Sequence, residues 1–170
     1  CFDLVLHLQN EFETKKVLIN NDFEKIESLK VLSNRNLLVG TGGSIDGNAK
    51  IYKSLDLGST WEKIAEFESH QTVYSIEELN STTLFVGLGG GQGGGEIFKL
   101  TVDSDSNVSA STKVFNSVFI NGGPNYIHKI LAVSNGDIFA GCGFTDIENT
   151  INNIDLLIIS KYIIKIIYII

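Results

Sequence analysis

Internal repetition constrains this chain more than any other feature. Ile26–Gly43 reads IESLKVLSNRNLLVGTGG, Val73–Gly90 reads VYSIEELNSTTLFVGLGG, and Ile127–Gly143 reads IHKILAVSNGDIFAGCG. Each copy has an alternating apolar run, a polar turn, a second apolar run and then Gly-x-Gly. The turns are Ser33–Asn36, Asn80–Thr83 and Ser134–Asp137. The glycine pairs Gly40/Gly42, Gly87/Gly89 and Gly141/Gly143 are spaced by 47 and 54 residues. Another strand-like run follows the first two pairs, at Lys50–Ser54 and Glu96–Leu100. Val5–Val17 reads as a degraded earlier copy, with Asn10 opposite Asp56 and Thr14 opposite Thr60.

Each period therefore holds about four short strands. The triplets Leu37–Val39, Leu84–Val86 and Ile138–Ala140 are continuously apolar, as in strands covered on both faces. Ile26–Leu32 and Val73–Leu79 alternate, as in strands nearer a surface. No window sustains apolar residues three and four apart between capping signals, so long helices are not expected. Four strands at this period are the pattern of propeller blades, and a blade hides its faces only against its neighbours. The expected fold is all-β: a partial β-propeller of about three to four four-stranded antiparallel blades. Residues 1–146 carry the repeats, with 1–20 a partial blade, 21–68 and 69–119 blades, and 120–146 a partial blade. Closed propellers hold about four to eight blades. The expectation is thus a fragment of a longer array, or a ring completed by association, and the absence of Met agrees with a fragment.

Residues 147–170 form an atypical Ile-rich tail, in which Asp155–Ile170 reads DLLIISKYIIKIIYII. It is shorter than the roughly 20 apolar residues of a membrane helix and contains Lys161 and Lys165, so no membrane span is expected. Its β-branched content suits a strand that completes the third unit; the rival origin is a shifted reading frame of an A/T-rich gene.

Ser54-Leu-Asp56-Leu-Gly58-Ser-Thr60-Trp61 falls where the repeat places a turn between the third and fourth strands. Asp56 can accept hydrogen bonds from amides of its own turn, and Gly58 can take a positive φ. The hydroxyls of Ser54 and Thr60 can tie the strand ends, and Trp61 can pack over the hairpin. The segment resembles the Asp box, or BNR repeat, of sialidase-like propellers, Ser/Thr-x-Asp-x-Gly-x-Thr-Trp, at all five defined positions. The second unit, Leu100–Val108 (LTVDSDSNV), keeps polar turn residues without the Gly and Trp, and the third has no recognisable box. The resemblance implies fold more than chemistry: such boxes lie on the outer rim, so Ser54, Asp56, Gly58, Thr60 and Trp61 are expected to be structural. It also favours an extracellular or cell-surface setting.

A sialidase of this family needs three arginines to clamp a carboxylate, a tyrosine–glutamate pair and an aspartic acid. Arg35 is the only arginine, so the triad cannot be assembled. Tyr74 near Glu77 and Glu78 is the closest imitation of the nucleophile pair, but a packing role fits its strand position better. Hydrolysis of neutral glycans needs only two separated carboxyl groups, one with a raised pKa, and no such pair stands out. No catalytic residue is assigned. The glycine tract Gly87–Gly95 contains a Gly-x-Gly-x-x-Gly spacing, but a strand, Glu96–Leu100, follows where a dinucleotide site requires a helix.

Asp103-Ser-Asp105-Ser-Asn107 resembles the start of a calcium loop, yet Val108 and Val114 stand where a Gly and a Glu are needed, so a solvated turn is favoured. His7, His70 and His128 show no ligand spacing. No metal or cofactor is therefore assigned. Asn80-Ser-Thr82 and Asn107-Val-Ser109 are N-linked acceptor patterns, relevant only in a secreted eukaryotic protein. Cys1 and Cys142 are too few for a disulfide framework, and Cys1 as a lipidated residue is weaker than a cut chain. A net charge of −7 makes nucleic acid a poor partner.

The expected function is a non-catalytic binding or scaffold module, a fragment of a larger Asp-box protein. Its contact loops are the glycine tract and Asn121–Tyr126, and its partner is a protein or glycan, beside the remaining blades or a second copy. The alternative is a glycoside hydrolase fragment, sialidase-like or xyloglucan-hydrolase-like, with incomplete catalytic residues; a gene remnant is a third possibility.

Overall fold

The computed structural model describes residues 3–8, 11–16, 25–43, 48–70, 72–90, 94–116, 126–133, 135–143, 154–159 and 164–167. Among them every regular element is a β-strand and every strand pairing is antiparallel. β1 (Asp3–Leu8) and β2 (Glu11–Lys16) form a separate two-stranded sheet. The remaining strands form three successive meanders, in which each strand pairs with the next in sequence. The first is β3 (Lys25–Val31), β4 (Leu37–Gly42), β5 (Ala49–Ser54) and β6 (Glu62–Phe67). The second is β7 (Thr72–Asn80), β8 (Thr83–Gly89), β9 (Glu96–Val102) and β10 (Val108–Asn116). The third is β11 (Tyr126–Ala132), β12 (Ile138–Gly143), β13 (Ile154–Ile159) and β14 (Ile164–Ile167). Single backbone pairs, Gly42 with Thr72 and Gly89 with Tyr126, join the meanders into one sheet that curls into a half-barrel.

The Ile-rich tail enters this pattern directly. β13 pairs with β12 from Ile138↔Ile159 to Gly143↔Ile154, and β14 pairs with β13, so residues from the tail supply two strands of the third meander. Its high β-branched content suits a pleated ladder.

Burial explains the residue patterns. Leu37, Leu38 and Val39 of β4, and Leu84, Phe85 and Val86 of β8, are all buried, as continuous apolar triplets require. β3 instead alternates between exposed and half-buried positions, whereas β7 is largely buried rather than alternating at a surface, and β12 alternates between buried and half-buried because Phe139 is only half-covered. One apolar core lies between the first and second meanders: Leu38 and Ile51 from one side meet Val73, Ile76, Leu84, Val86 and Leu88 from the other. A second core lies between the second and third, where Phe85, Ile97 and Phe115 meet Ile127, Ile130, Ile138 and Ala140. In β8, Leu84, Val86 and Leu88 serve the first core and Phe85 the second, the period-two split of a sheet covered on both faces. The meanders thus bury themselves against one another.

The glycine pairs permit this close approach. A Cβ on Gly40 would sit 2.3 Å from Ser28 Oγ and 2.4 Å from Val73 Cγ1, and one on Gly87 would sit 2.7 Å from Ile127 Cγ2. Real side chains do not tolerate such distances, so only glycine lets β7 lie against β4 and β11 against β8.

Candidate functional site

The first strand of each meander carries a β-bulge at an equivalent position. The register shifts between Ile26 and Ser28 in β3, between Val73 and Ser75 in β7, and between Ile127 and Lys129 in β11. The extra residues are Glu27, Tyr74 and His128, spaced as the glycine pairs are. Bulges re-aim side chains and recur next to functional sites. All three lie near the end of the sheet from which the β4–β5, β8–β9 and β12–β13 connections leave.

β3, β7 and β11 are laterally coupled. Ser28 Oγ donates to Val73 O at 2.8 Å, and its repeat-equivalent Ser75 Oγ accepts from Ile130 N at 3.0 Å. Lower on the same strands, Lys30 Nζ meets Glu77 Oε2 at 2.7 Å, and Ser33 donates to Glu78 through both N–H and hydroxyl. Glu77 and Glu78 are thus engaged by the first meander rather than poised on Tyr74.

At the bulges three rings cluster. Tyr74 stands at 90° to Tyr126 with centroids 5.7 Å apart, and at 67° to His128 at 5.1 Å. Tyr126 and His128 are nearly parallel at 5.6 Å. Glycine again makes room, since a Cβ on Gly143 would lie 2.5 Å from His128 Nε2, and one on Gly42 would lie 2.8 Å from Glu27 Cγ. Burial pushes the Tyr74 phenol above its ordinary pKa; a Thr72 hydrogen bond opposes this, while Tyr126 and the Glu27 charge add to it. Tyr74 is thus a protonated hydrogen-bonding group at neutral pH rather than a phenolate nucleophile.

A second polar cluster is buried nearby. Glu96, 2% exposed, begins β9 and meets Lys113 Nζ of β10 at 2.6 Å. Its other oxygen lies 3.1 Å from His70 Nε2, but off the line of a hydrogen bond, so both atoms lack a hydrogen-bond partner. His70 Nδ1 lies 2.9 Å from Glu68 O, and Phe98 packs beneath the Lys113 ammonium and at right angles to the His70 ring. The cluster clamps the β6–β7 connection to the second meander.

The turns at the opposite end hold the residues singled out from the sequence. Asp56 Oδ1 accepts from Thr60 N (2.8 Å) and Ser54 Oγ (2.8 Å), and Oδ2 accepts from Thr60 Oγ1 (2.7 Å). Ser54 Oγ in turn accepts from Gly58 N at 2.8 Å. Leu57 and Gly58 take positive φ, 58° and 89°, and Trp61 Nε1 donates to Gly58 O at 3.2 Å. Trp61 is half-buried and, with Lys53, Leu55 and Glu62, borders an open cleft of about 160 Å³. The Thr60 and Ser54 hydrogen bonds hold the Asp56 carboxyl down at about 2.

The β9–β10 turn repeats this wrap with different residues. Asp103 Oδ1 accepts from Asn107 N (2.8 Å) and Asp105 N (2.9 Å), Oδ2 accepts from Asn107 Nδ2 (2.9 Å), and Ser106 takes φ 62°. Instead of facing an ion, its oxygens receive a lysine: Lys53 Nζ, 4% exposed, donates to Asp105 O at 3.0 Å and to Asn107 Oδ1 at 2.5 Å. Asn34 and Asn36 of the β3–β4 turn latch onto Ser104 O and Ser106 Oγ, both at 2.9 Å.

Among the described residues no group of three or more His, Cys, Asp and Glu could hold a metal. Likewise no described helix is long and apolar enough to cross a membrane. Arg35 sits exposed in the β3–β4 turn with φ 71°. In the glycine tract the element after the loop is β9, a strand; residues 91–93 lie outside the described residues, as do Cys1, Asn10 and the 121–125 part of the contact loop.

The bulge row was not singled out in the sequence, although the repeat alignment already stacks Ile26-Glu27-Ser28, Val73-Tyr74-Ser75 and Ile127-His128-Lys129. The available signal was that one column holds three different polar or aromatic residues directly after a matched Ile or Val. No family model matches the chain, and no curated protein does.

Proposed function

We propose that the chain is a non-catalytic β-propeller binding or scaffold module of the Asp-box class, part of a larger repeat array or completed by a second copy. The observation that carries this is the row of equivalent bulges on β3, β7 and β11, which sets Glu27, Tyr74 and His128 at one end of the sheet. Three further features support it. The meanders stack through apolar cores between units, as blades do. Asp56 and Asp103 cap equivalent turns with both carboxylate oxygens. And the loop end is varied in sequence while the glycines beneath it are spaced regularly.

A binding role is favoured over hydrolysis because the acidic residues nearest in sequence to Tyr74 are held by Lys30 and Ser33. The three meanders among the described residues are fewer than the about four to eight blades of a closed ring, which favours a ligand surface shared with further units. The test is to assay the purified chain, and the longest polypeptide that contains it, for turnover of aryl glycosides, sialosides and xyloglucan. No turnover is expected. Turnover abolished by Glu27→Gln or Glu96→Gln, with the fold intact by circular dichroism, would defeat the binding role in favour of a glycoside hydrolase.

A further inference from the structure

The loop end of the bulge row combines a carboxylate that has no ion pair among the described residues with a corner of aromatic rings. Glu27 is exposed and, among the described residues, has no ion pair, while Lys30 on the same strand is held by Glu77. Beside it Tyr74 stands roughly perpendicular to the near-parallel pair Tyr126 and His128. A flat hydrophobic ligand or a sugar ring is best received by one open aromatic platform. Rings set at right angles offer two walls meeting at an edge instead, and their π-faces carry negative potential.

Charge disfavours the opposite polarity. The lone guanidinium, Arg35, sits in the β3–β4 turn at the far end of the strands, and the chain carries a net charge of −7. An anionic ligand would meet the Glu27 carboxylate directly, with the exposed Lys25 and Lys129 only at the flanks of the row. Aromatic walls with an adjacent carboxylate are instead the chemistry that holds an ammonium or guanidinium group, through cation–π attraction and a charge-assisted contact.

We propose that Glu27, Tyr74, Tyr126 and His128 form a binding site for an organic cation. The cation is either a small quaternary ammonium compound or the side chain of a basic peptide, which share this chemistry. The inference deepens the binding role proposed above and rests on it. The groups come from all three meanders: β3 supplies the charge, β7 one wall, and β11, through Tyr126 and His128, the other. Recognition therefore requires the meanders to be stacked.

The test uses the full 170-residue chain and follows tyrosine and histidine ring resonances by NMR. Choline is titrated against its uncharged tert-butyl analogue, and a trimethyllysine peptide against the same peptide carrying glutamine. Saturable shifts of the Tyr74, Tyr126 and His128 rings are expected with the cations, and binding roughly tenfold weaker with the neutral analogues. Glu27→Gln should weaken choline binding about five- to tenfold without changing the melting temperature, because the residue is exposed and unpaired. Tyr74→Leu should weaken it further, with Tyr126 and His128 as reporters.

Tighter binding of choline points to a small ligand and tighter binding of the peptide to a protein partner; either supports the proposal. Equal binding of charged and neutral probes, or an unchanged affinity in Glu27→Gln, would overturn it. So would ring shifts produced only by an uncharged saccharide or an acidic peptide, although that outcome would leave the binding-module role standing. Glycoside turnover would remove that role whatever choline does.

Discussion

The Asp56 carboxylate shows how one side chain can organise a turn. Its oxygens collect an amide and two hydroxyls, so deprotonation favours the folded hairpin. The folded pKa lies at about 2 against an ordinary 3.8. Stability from this group is therefore complete above the ordinary value and is lost as pH falls toward 2. Asp103 is shifted in the same direction by Asn107, first through its side chain and then its backbone. Thermal melts between about pH 2 and 5 should show a stability loss on acidification that becomes shallower in Asp56→Asn. An unchanged slope would mean that the carboxylate contributes nothing special. Asp56 and its partners could be read from the sequence because each atom they need lies within a few residues. Asp103 could not, because Asn107 replaces Thr60 as donor and the positive φ falls at Ser106, three residues past the aspartate, instead of at Leu57 and Gly58; the carboxylate cap is alike while the letters and the turn backbone differ.

At the scale of the element, strand pairing followed from the sequence more readily than strand approach. The buried triplets of β4 and β8 and the antiparallel order were legible because apolar runs and polar turn residues are local signals, while the third triplet leaves Phe139 half-buried. The bulges were not, since inserting one residue in a ladder leaves the hydropathy pattern nearly unchanged. The glycines were legible as a spacing, but their purpose appears only in three dimensions. Gly40→Ala and Gly87→Ala force Cβ atoms into Val73 and Ile127, so each is expected to cost about 1–3 kcal/mol in denaturant unfolding. At Gly141 the nearest atom to a Cβ would be Lys129 O at 4.0 Å, so Gly141→Ala should stay within about 0.5 kcal/mol of the parent. Equal effects at all three positions would contradict close packing as the reason for the repeat. Ser75→Ala leaves the buried Ile130 N–H without its acceptor, and a loss of about 1–3 kcal/mol is expected from the same measurement.

For the whole molecule, stability resides between meanders, because the cores lie at their junctions and a meander alone exposes two apolar faces. Lys53 extends this coupling to the turn end: its ammonium, from β5, is received by Asp105 O and Asn107 Oδ1 of the second meander. Lys53→Met should keep the stem packed while releasing the 103–107 turn. Amide hydrogen exchange should then accelerate at Ser106 and Asn107 before it does in β8. Uniform acceleration across both meanders would show that Lys53 supports global stability only. The tail's β-branched content suited a strand completing the third unit, and β12 supplies its partner; only the register between them has no local signal near residue 154. The bulge row has a practical corollary. Because Glu27 stands exposed while Tyr74 and His128 pack against each other, a designer could exchange Glu27 alone but would have to change the two rings together. Specificity could then drift or be reprogrammed while the framework beneath stays untouched.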